Sequence, residues 1–99
     1  MPLRVKVSAR AARQIRTAAQ WWLENRPSAP GAVLKDVGES LALLAEQPGI
    51  GATYEGTRSP GVRRLFLSRI GYFVYYREAD GSLEVLALWH ASRENQPSL

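Results

Sequence analysis

His90 is the only histidine in a chain of 99 residues that has no cysteine at all. An imidazole is the one side chain here suited to moving a proton near neutral pH. Without a thiol there is no cysteine nucleophile, disulfide framework or thiolate metal site, and a single histidine does not make a structural zinc site. No metal and no cofactor are expected. The remaining chemistry lies in arginine, which supplies eleven of the thirteen basic residues. Its planar fork suits phosphate and carboxylate better than an ammonium does. Residues 48–77 hold Arg58, Arg63, Arg64, Arg69 and Arg77 against Glu55 alone, a local balance of +4. Residues 78–99 hold Arg93 against Glu78, Asp80, Glu84 and Glu94, a balance of −3. The basic block reads either as a surface for an anionic partner or as an ordinary solvated face.

Cutting RNA without a metal needs a base, an acid and cations for the phosphorane charge. Arginine serves the last purpose only, because its pKa exceeds about 12. The two lysines, Lys6 and Lys35, both fall outside the basic segment. A nuclease built on this chain would use His90 for proton transfer, with Arg64, Arg77 or Arg93 holding phosphate. The plainer reading has His90 closing a strand end, bonded to backbone or a nearby carboxylate, and no catalytic residue is favoured. Tyr72, Tyr75 and Tyr76 crowd one strand. Alternation puts Tyr72, Val74 and Tyr76 on one face and Phe73, Tyr75 and Arg77 on the other. An aromatic beside arginine on an open face can stack a base, while β-propensity alone also accounts for the tyrosines.

The elements that position these residues follow from periodicity. Leu3, Val5 and Val7 alternate with Arg4 and Lys6 as a short half-buried strand. Ser8 is an N-cap, and from Ala9 the period becomes helical, with Ala12, Ile15, Ala19, Trp22 and Leu23 on one stripe. Asn25-Arg26-Pro27 ends that helix. Ser28-Ala29-Pro30 opens a second one, buried through Val33, Val37, Leu41 and Leu44 and stopped at Gln47-Pro48-Gly49. The short link between them predicts an antiparallel hairpin. Neighbouring Trp21 and Trp22 stand about 100° apart on a helix, so Trp21 is expected outside as a contact point or flat on the hairpin edge. Trp89 is open to either reading.

Residues 49–61 read as an irregular glycine-rich connection. Three strands follow: Val62–Ser68, Tyr72–Arg77 and Leu83–His90, the last two joined through Asp80-Gly81, a strong hairpin signal. The order βααβββ predicts one α+β domain over residues 1–99, an antiparallel sheet with a helical hairpin on one face. The first strand is expected at the sheet edge, the second face partly open, and 92–99 a loose tail. The N-terminus lacks the apolar run of a signal peptide, and no stretch approaches the roughly 20 apolar residues of a membrane span. A cytoplasmic location and no membrane partner are expected.

That order comes with a run of sequence: Pro48-Gly49-Ile50-Gly51, Gly61-Val62-Arg63-Arg64-Leu65, Tyr72-Phe73-Val74-Tyr75-Tyr76-Arg77 and Leu83 through Trp89-His90-Ala91-Ser92-Arg93. It resembles the C-terminal half of ParE-type toxins of the RelE/ParE toxin–antitoxin superfamily. There a Pro-x-x-Gly leads to a Val-Arg-Arg strand, a tyrosine-rich strand ending in Tyr-Arg and a last strand ending in His-x-x-Arg. The opening Val7-Ser8 and small-residue first helix also fit, so the resemblance runs from Leu3 to Glu94. It implies a cognate antitoxin, a toxin–antitoxin hetero-oligomer and growth arrest by the free toxin. ParE-like members poison DNA gyrase, whereas RelE-like members cut messenger RNA on the ribosome. The lysine-free central segment favours the gyrase branch. The ribosome-dependent endoribonuclease using His90 and arginines is the alternative, and a non-toxic binding module of the same fold is a third. For a binding toxin, Trp21, Arg63, Arg64, Tyr75, Arg77 and Arg93 are the residues expected to meet partners.

Overall fold

The structure is a computed structural model and describes residues 1–99. Strand β1 spans Arg4–Val7 and runs into Ser8, whose hydroxyl accepts the backbone N–H of Ala11 at 3.0 Å and so caps helix α1, Ala9–Asn25. The helix closes where the Arg26 N–H donates to the Trp22 carbonyl, just before Pro27. Its fully buried line is Ala11 and Ala18, one heptad apart, with Ile15, Ala19 and Trp22 packed beside it. The expected stripe is therefore turned toward Ala11, and Leu23 is left 57% exposed. Two alanines without bulk let α1 lie close over the sheet.

Helix α2, Ala32–Glu46, starts later than the Pro30 opening expected from sequence. Residues 28–31 instead form turns, with Ala29 N–H donating to Arg26 O and Ala32 N–H to Ala29 O. Val33, Val37 and Leu44 bury its inner face, with Leu41 partly covered. Fully burying each such side chain contributes about 1.5–3 kcal/mol, against which ordering entropy stands.

After a 3-10 turn at Pro48–Ile50 comes a two-residue strand, β2 (Ala52–Thr53), inside the segment read as irregular. Strands β3 (Arg63–Leu67), β4 (Tyr72–Ala79) and β5 (Ser82–His90) follow. The sheet order is β1-β5-β4-β3-β2, antiparallel except for β1 beside β5, which is parallel. That parallel pair corrects the all-antiparallel expectation, and it is possible because the helical hairpin carries the chain across between the two strands. β1 does take an edge, but Val5 and Val7 are 39% and 41% exposed, so it is less buried than its alternation predicted. Asp80 (φ 52°) and Gly81 (φ 73°) both take the left-handed conformation that a two-residue hairpin needs, with Ala79 opposite Ser82.

One irregularity decides the faces of β5. Tyr75 pairs with Ala87 but Tyr76 with Val85, so Leu86 is an extra residue, a β-bulge. Leu83, Val85 and Leu88 consequently face the helices with Tyr76 and Val74, while Ala87 and Trp89 share the other face with Tyr75. That second face is partly open, as expected, with Phe66 47% exposed on it, but the part around Tyr75 is covered. Residues 92–99, expected to be loose, run back across it: the Trp89 Nε1–H donates to Asn95 O at 2.9 Å, and Thr57 Oγ1 donates to Leu99 O at 2.9 Å. Pro97 is buried and Leu99 packs on the Val62–Tyr75–Ala87 cluster. The apolar surface of the sheet explains the docking, which covers Tyr75 and Val62. No helix of the chain is long and apolar enough to cross a membrane.

Candidate partner-binding face

The Val62-Arg63-Arg64 strand sends its two arginines to opposite sides. Arg63 pairs across β4 with Tyr76 and turns to the loop after α2, its Nη1 donating to Gly51 O at 2.7 Å. The Tyr76 hydroxyl donates to Pro48 O at 2.7 Å and accepts the Gly51 N–H at 2.8 Å. Together they pin the 3-10 turn to the sheet. Burial pushes the Tyr76 phenol above its ordinary pKa, with the Gly51 N–H and Arg63 pulling partly the other way. Gly51 has no room for a side chain, since a Cβ there would lie 2.4 Å from the Tyr76 hydroxyl and 2.9 Å from Arg64 O. The Pro-x-x-Gly element therefore has a steric cause, and Arg63 serves the scaffold.

Arg64 points to the other side, into an aromatic nest. Its guanidinium carbon lies 4.2 Å from the Phe73 ring centre, 5.4 Å from Tyr54 and 6.0 Å from Tyr75. Nη1 also donates to the Tyr75 hydroxyl at 3.1 Å. Rings on three sides fix the guanidinium by cation–π attraction and leave it half-buried. Tyr75 itself is fully buried, its hydroxyl donating to Gln96 Oε1 at 2.9 Å under the C-terminal residues. As a direct contact residue Tyr75 is thus corrected: it braces Arg64. Tyr54, which the sequence reading passed over inside the glycine-rich connection, closes the nest edge-on to Tyr75 at 5.0 Å. Its buried hydroxyl has no hydrogen-bond partner. Burial raises the Tyr54 pKa, Tyr75 adds to the rise, and Arg64 lowers it in part.

Arg77 lies on the same face as Arg64 by alternation, but its Nε bonds Glu84 Oε1 at 2.8 Å across the hairpin. Its charge is largely matched. Arg93 stacks 3.8 Å over the Trp89 ring centre and has no carboxylate partner. Arg69 is committed to Asp36 through two bonds, which raise its pKa. On the helical hairpin, Trp21 is 44% exposed and meets Trp22 edge-on at 6.4 Å, with Arg26 over both rings at 5.0 and 5.7 Å.

His90 lies apart from Arg64 and Arg77, on the side of a cavity that Arg93 also lines. It pairs with Tyr72, packs edge-on against that ring at 4.9 Å and faces the helix side. Its Nδ1 accepts the Ser92 backbone N–H at 3.1 Å and lies 2.6 Å from Ser92 Oγ. With Nδ1 accepting, the ring proton belongs on Nε2. The bond to backbone expected of a His90 that closes the strand end is present. Of the residues expected for a nuclease, Arg64 and Arg77 are on one side of the sheet and His90 on the other, while Arg93 lines the same cavity as His90.

Comparisons with known proteins bear on the whole chain. The family model described as "ParE toxin of type II toxin-antitoxin system, parDE" matches residues 5–95. A chain of the solved structure titled "Chromosomal ParDE TA system from P. aeruginosa" superposes with a TM-score of 0.74 at 20% identity, covering 91% of this chain and 97% of that one. No curated protein sequence matches.

Proposed function

The chain belongs to the ParE toxin family of type II toxin–antitoxin systems, and on that premise we propose that it arrests growth by binding DNA gyrase. On this reading it stabilises the cleaved-DNA state of gyrase and is neutralised in the cytoplasm by a cognate antitoxin, in a hetero-oligomer of the two. The observation that carries the reading is the separation of His90 from Arg64 and Arg77 by the thickness of the sheet. General acid–base catalysis needs the proton donor within hydrogen-bond reach of the reacting group, beside the cations that hold it. Here the cations are grouped with aromatic rings, as suits recognition by surface complementarity, where arginine and aromatic anchors carry most of the energy. Arg64 in its nest, Arg93 on Trp89 and exposed Trp21 are the anchors of this chain for its two partners.

The test is pulse labelling of DNA and protein synthesis directly after induction without antitoxin. The expected result is an early fall in DNA synthesis with strand breaks while translation continues. An early fall in translation with intact DNA would overturn the reading in favour of messenger RNA cleavage. No effect on either would leave a binding module without toxicity.

A further inference from the structure

The last strand ends in His90-x-x-Arg93, and the gyrase reading uses only the stack of Arg93 on Trp89 at that corner. It borders a cavity of about 500 Å³ between the middle of α1 and the end of β5. The buried Ala18 and Leu88 form its floor, and Tyr72 and His90 form an aromatic wall. Arg13 and Arg93 stand at its mouth. No aspartate or glutamate lines it, and neither arginine belongs to the chain's two ion pairs, Arg69–Asp36 and Arg77–Glu84.

We propose that this cavity binds the phosphate of a nucleotide, free or within a strand, between Arg13 and Arg93. The polar groups around it are donors in excess. Gln14 spends its Oε1 on the Leu88 N–H at 2.9 Å, which leaves the side-chain NH2 as its remaining group. The Tyr72 phenol, protonated near neutral pH like any tyrosine, has a proton to give, and burial pushes its pKa further up against a smaller opposing pull from Arg93. His90 has its accepting nitrogen occupied by Ser92. A cavity with two unpaired guanidinium groups and no carboxylate calls for a ligand rich in acceptors. A terminal phosphate, with three non-bridging oxygens, can take both forks at once, and a phosphodiester within a strand can offer one of its two to each. The volume is that of an ordinary small-ligand pocket, which spans about 300–1,000 Å³, and the Tyr72–His90 wall offers a surface to a base. This site lies apart from the Arg64 nest and does not depend on gyrase being the target.

The experiment titrates the isotopically labelled full chain with AMP, and in parallel with adenosine and inorganic phosphate, following backbone amide shifts. Saturable shifts confined to residues 13–18 and 88–93 with AMP, much weaker with adenosine, are expected. Arg13→Ala and Arg93→Ala, both at exposed positions, are expected to keep dispersed spectra and each weaken AMP binding about tenfold, the scale of one charge-assisted hydrogen bond. Displacement of AMP by an oligonucleotide lacking a terminal phosphate would support the anion site and assign it to a backbone phosphodiester. No localised shift at millimolar AMP, equal responses to AMP and adenosine, or unchanged affinity in both arginine variants would each overturn the proposal.

Discussion

His90 and Arg64 belong to the same sheet and face away from each other. His90 stands opposite Tyr72 on the helix side, while Arg64 stands opposite Tyr75 on the side covered by the C-terminal residues. A pair so placed cannot act together on one scissile phosphate, and the gyrase reading rests on that relationship. It predicts that Arg64→Ala impairs gyrase-dependent DNA cleavage more than His90→Ala does, by about tenfold, since an anchor arginine in an aromatic nest is typically worth 1–2 kcal/mol or more. Purified toxin, gyrase and supercoiled DNA provide the assay. The reverse ranking, with messenger RNA cut in extracts, would restore His90 as a proton-transfer group.

Tyr76 and Tyr54 make opposite predictions for the same substitution. Tyr76→Phe strands the Gly51 N–H and the Pro48 carbonyl, and is expected to cost about 1–3 kcal/mol. Tyr54→Phe removes a buried hydroxyl that bonds to nothing and is expected to be neutral or to stabilise by up to about 1 kcal/mol. Urea unfolding of the two variants against the parent decides it; a destabilised Tyr54→Phe would mean its hydroxyl has a partner in solution.

Gly51→Ala tests space alone, because Gly51 has a φ of −67° that any residue adopts. The methyl would collide with the Tyr76 ring and the Arg64 carbonyl. Displacing them is expected to cost about 1–3 kcal/mol, as overpacking does, with a lowered Tm as the readout. If the steric account is right, Gly51→Ala combined with Tyr76→Phe loses less than the sum of the two, since the clash and the hydroxyl share one site.

Tyr54, Tyr72 and Tyr76 all have pKa values raised by burial. A raised folded-state pKa means that the native chain holds its protons more tightly than the unfolded one. The stability this provides is complete below the unfolded tyrosine pKa of about 10 and is lost as pH rises through the higher folded values. Denaturation midpoints are therefore expected to be flat in this respect below pH about 10 and to fall above it. Absorbance of tyrosinate should appear together with unfolding; free titration of all three phenols in the folded state would contradict it.

Removing residues 95–99 is expected to expose Tyr75 and Trp89, whose hydroxyl and indole N–H then lose Gln96 and the Asn95 carbonyl. Binding of a hydrophobic dye and a red shift of tryptophan emission would report it. An unchanged spectrum would mean that the tail does not cover this face in solution.

Local chemistry made much of this legible from sequence. Ser8 could be read as a cap and Asp80-Gly81 as a hairpin turn because each depends on the dihedral angles and hydrogen bonds of a few adjacent residues. Helix and strand order followed from periodicity, and the ordered Val-Arg-Arg, Tyr-Tyr-Arg and His-x-x-Arg set pointed to the family that the match over residues 5–95 shows. What only the tertiary structure decided is which residues meet. Strict alternation along β5 would put Trp89 with Leu83 and Val85, and His90 with Glu84. The bulge at Leu86 reverses both, sending His90 to the helices and Trp89 to the tail. Nothing local marks Leu86 as the extra residue, since a bulge arises from how two strands and both layers against them pack at once. For the same reason the docking of 92–99 was hidden in its polar composition: its partners, Tyr75, Trp89 and Thr57, are brought to one face only by the completed sheet.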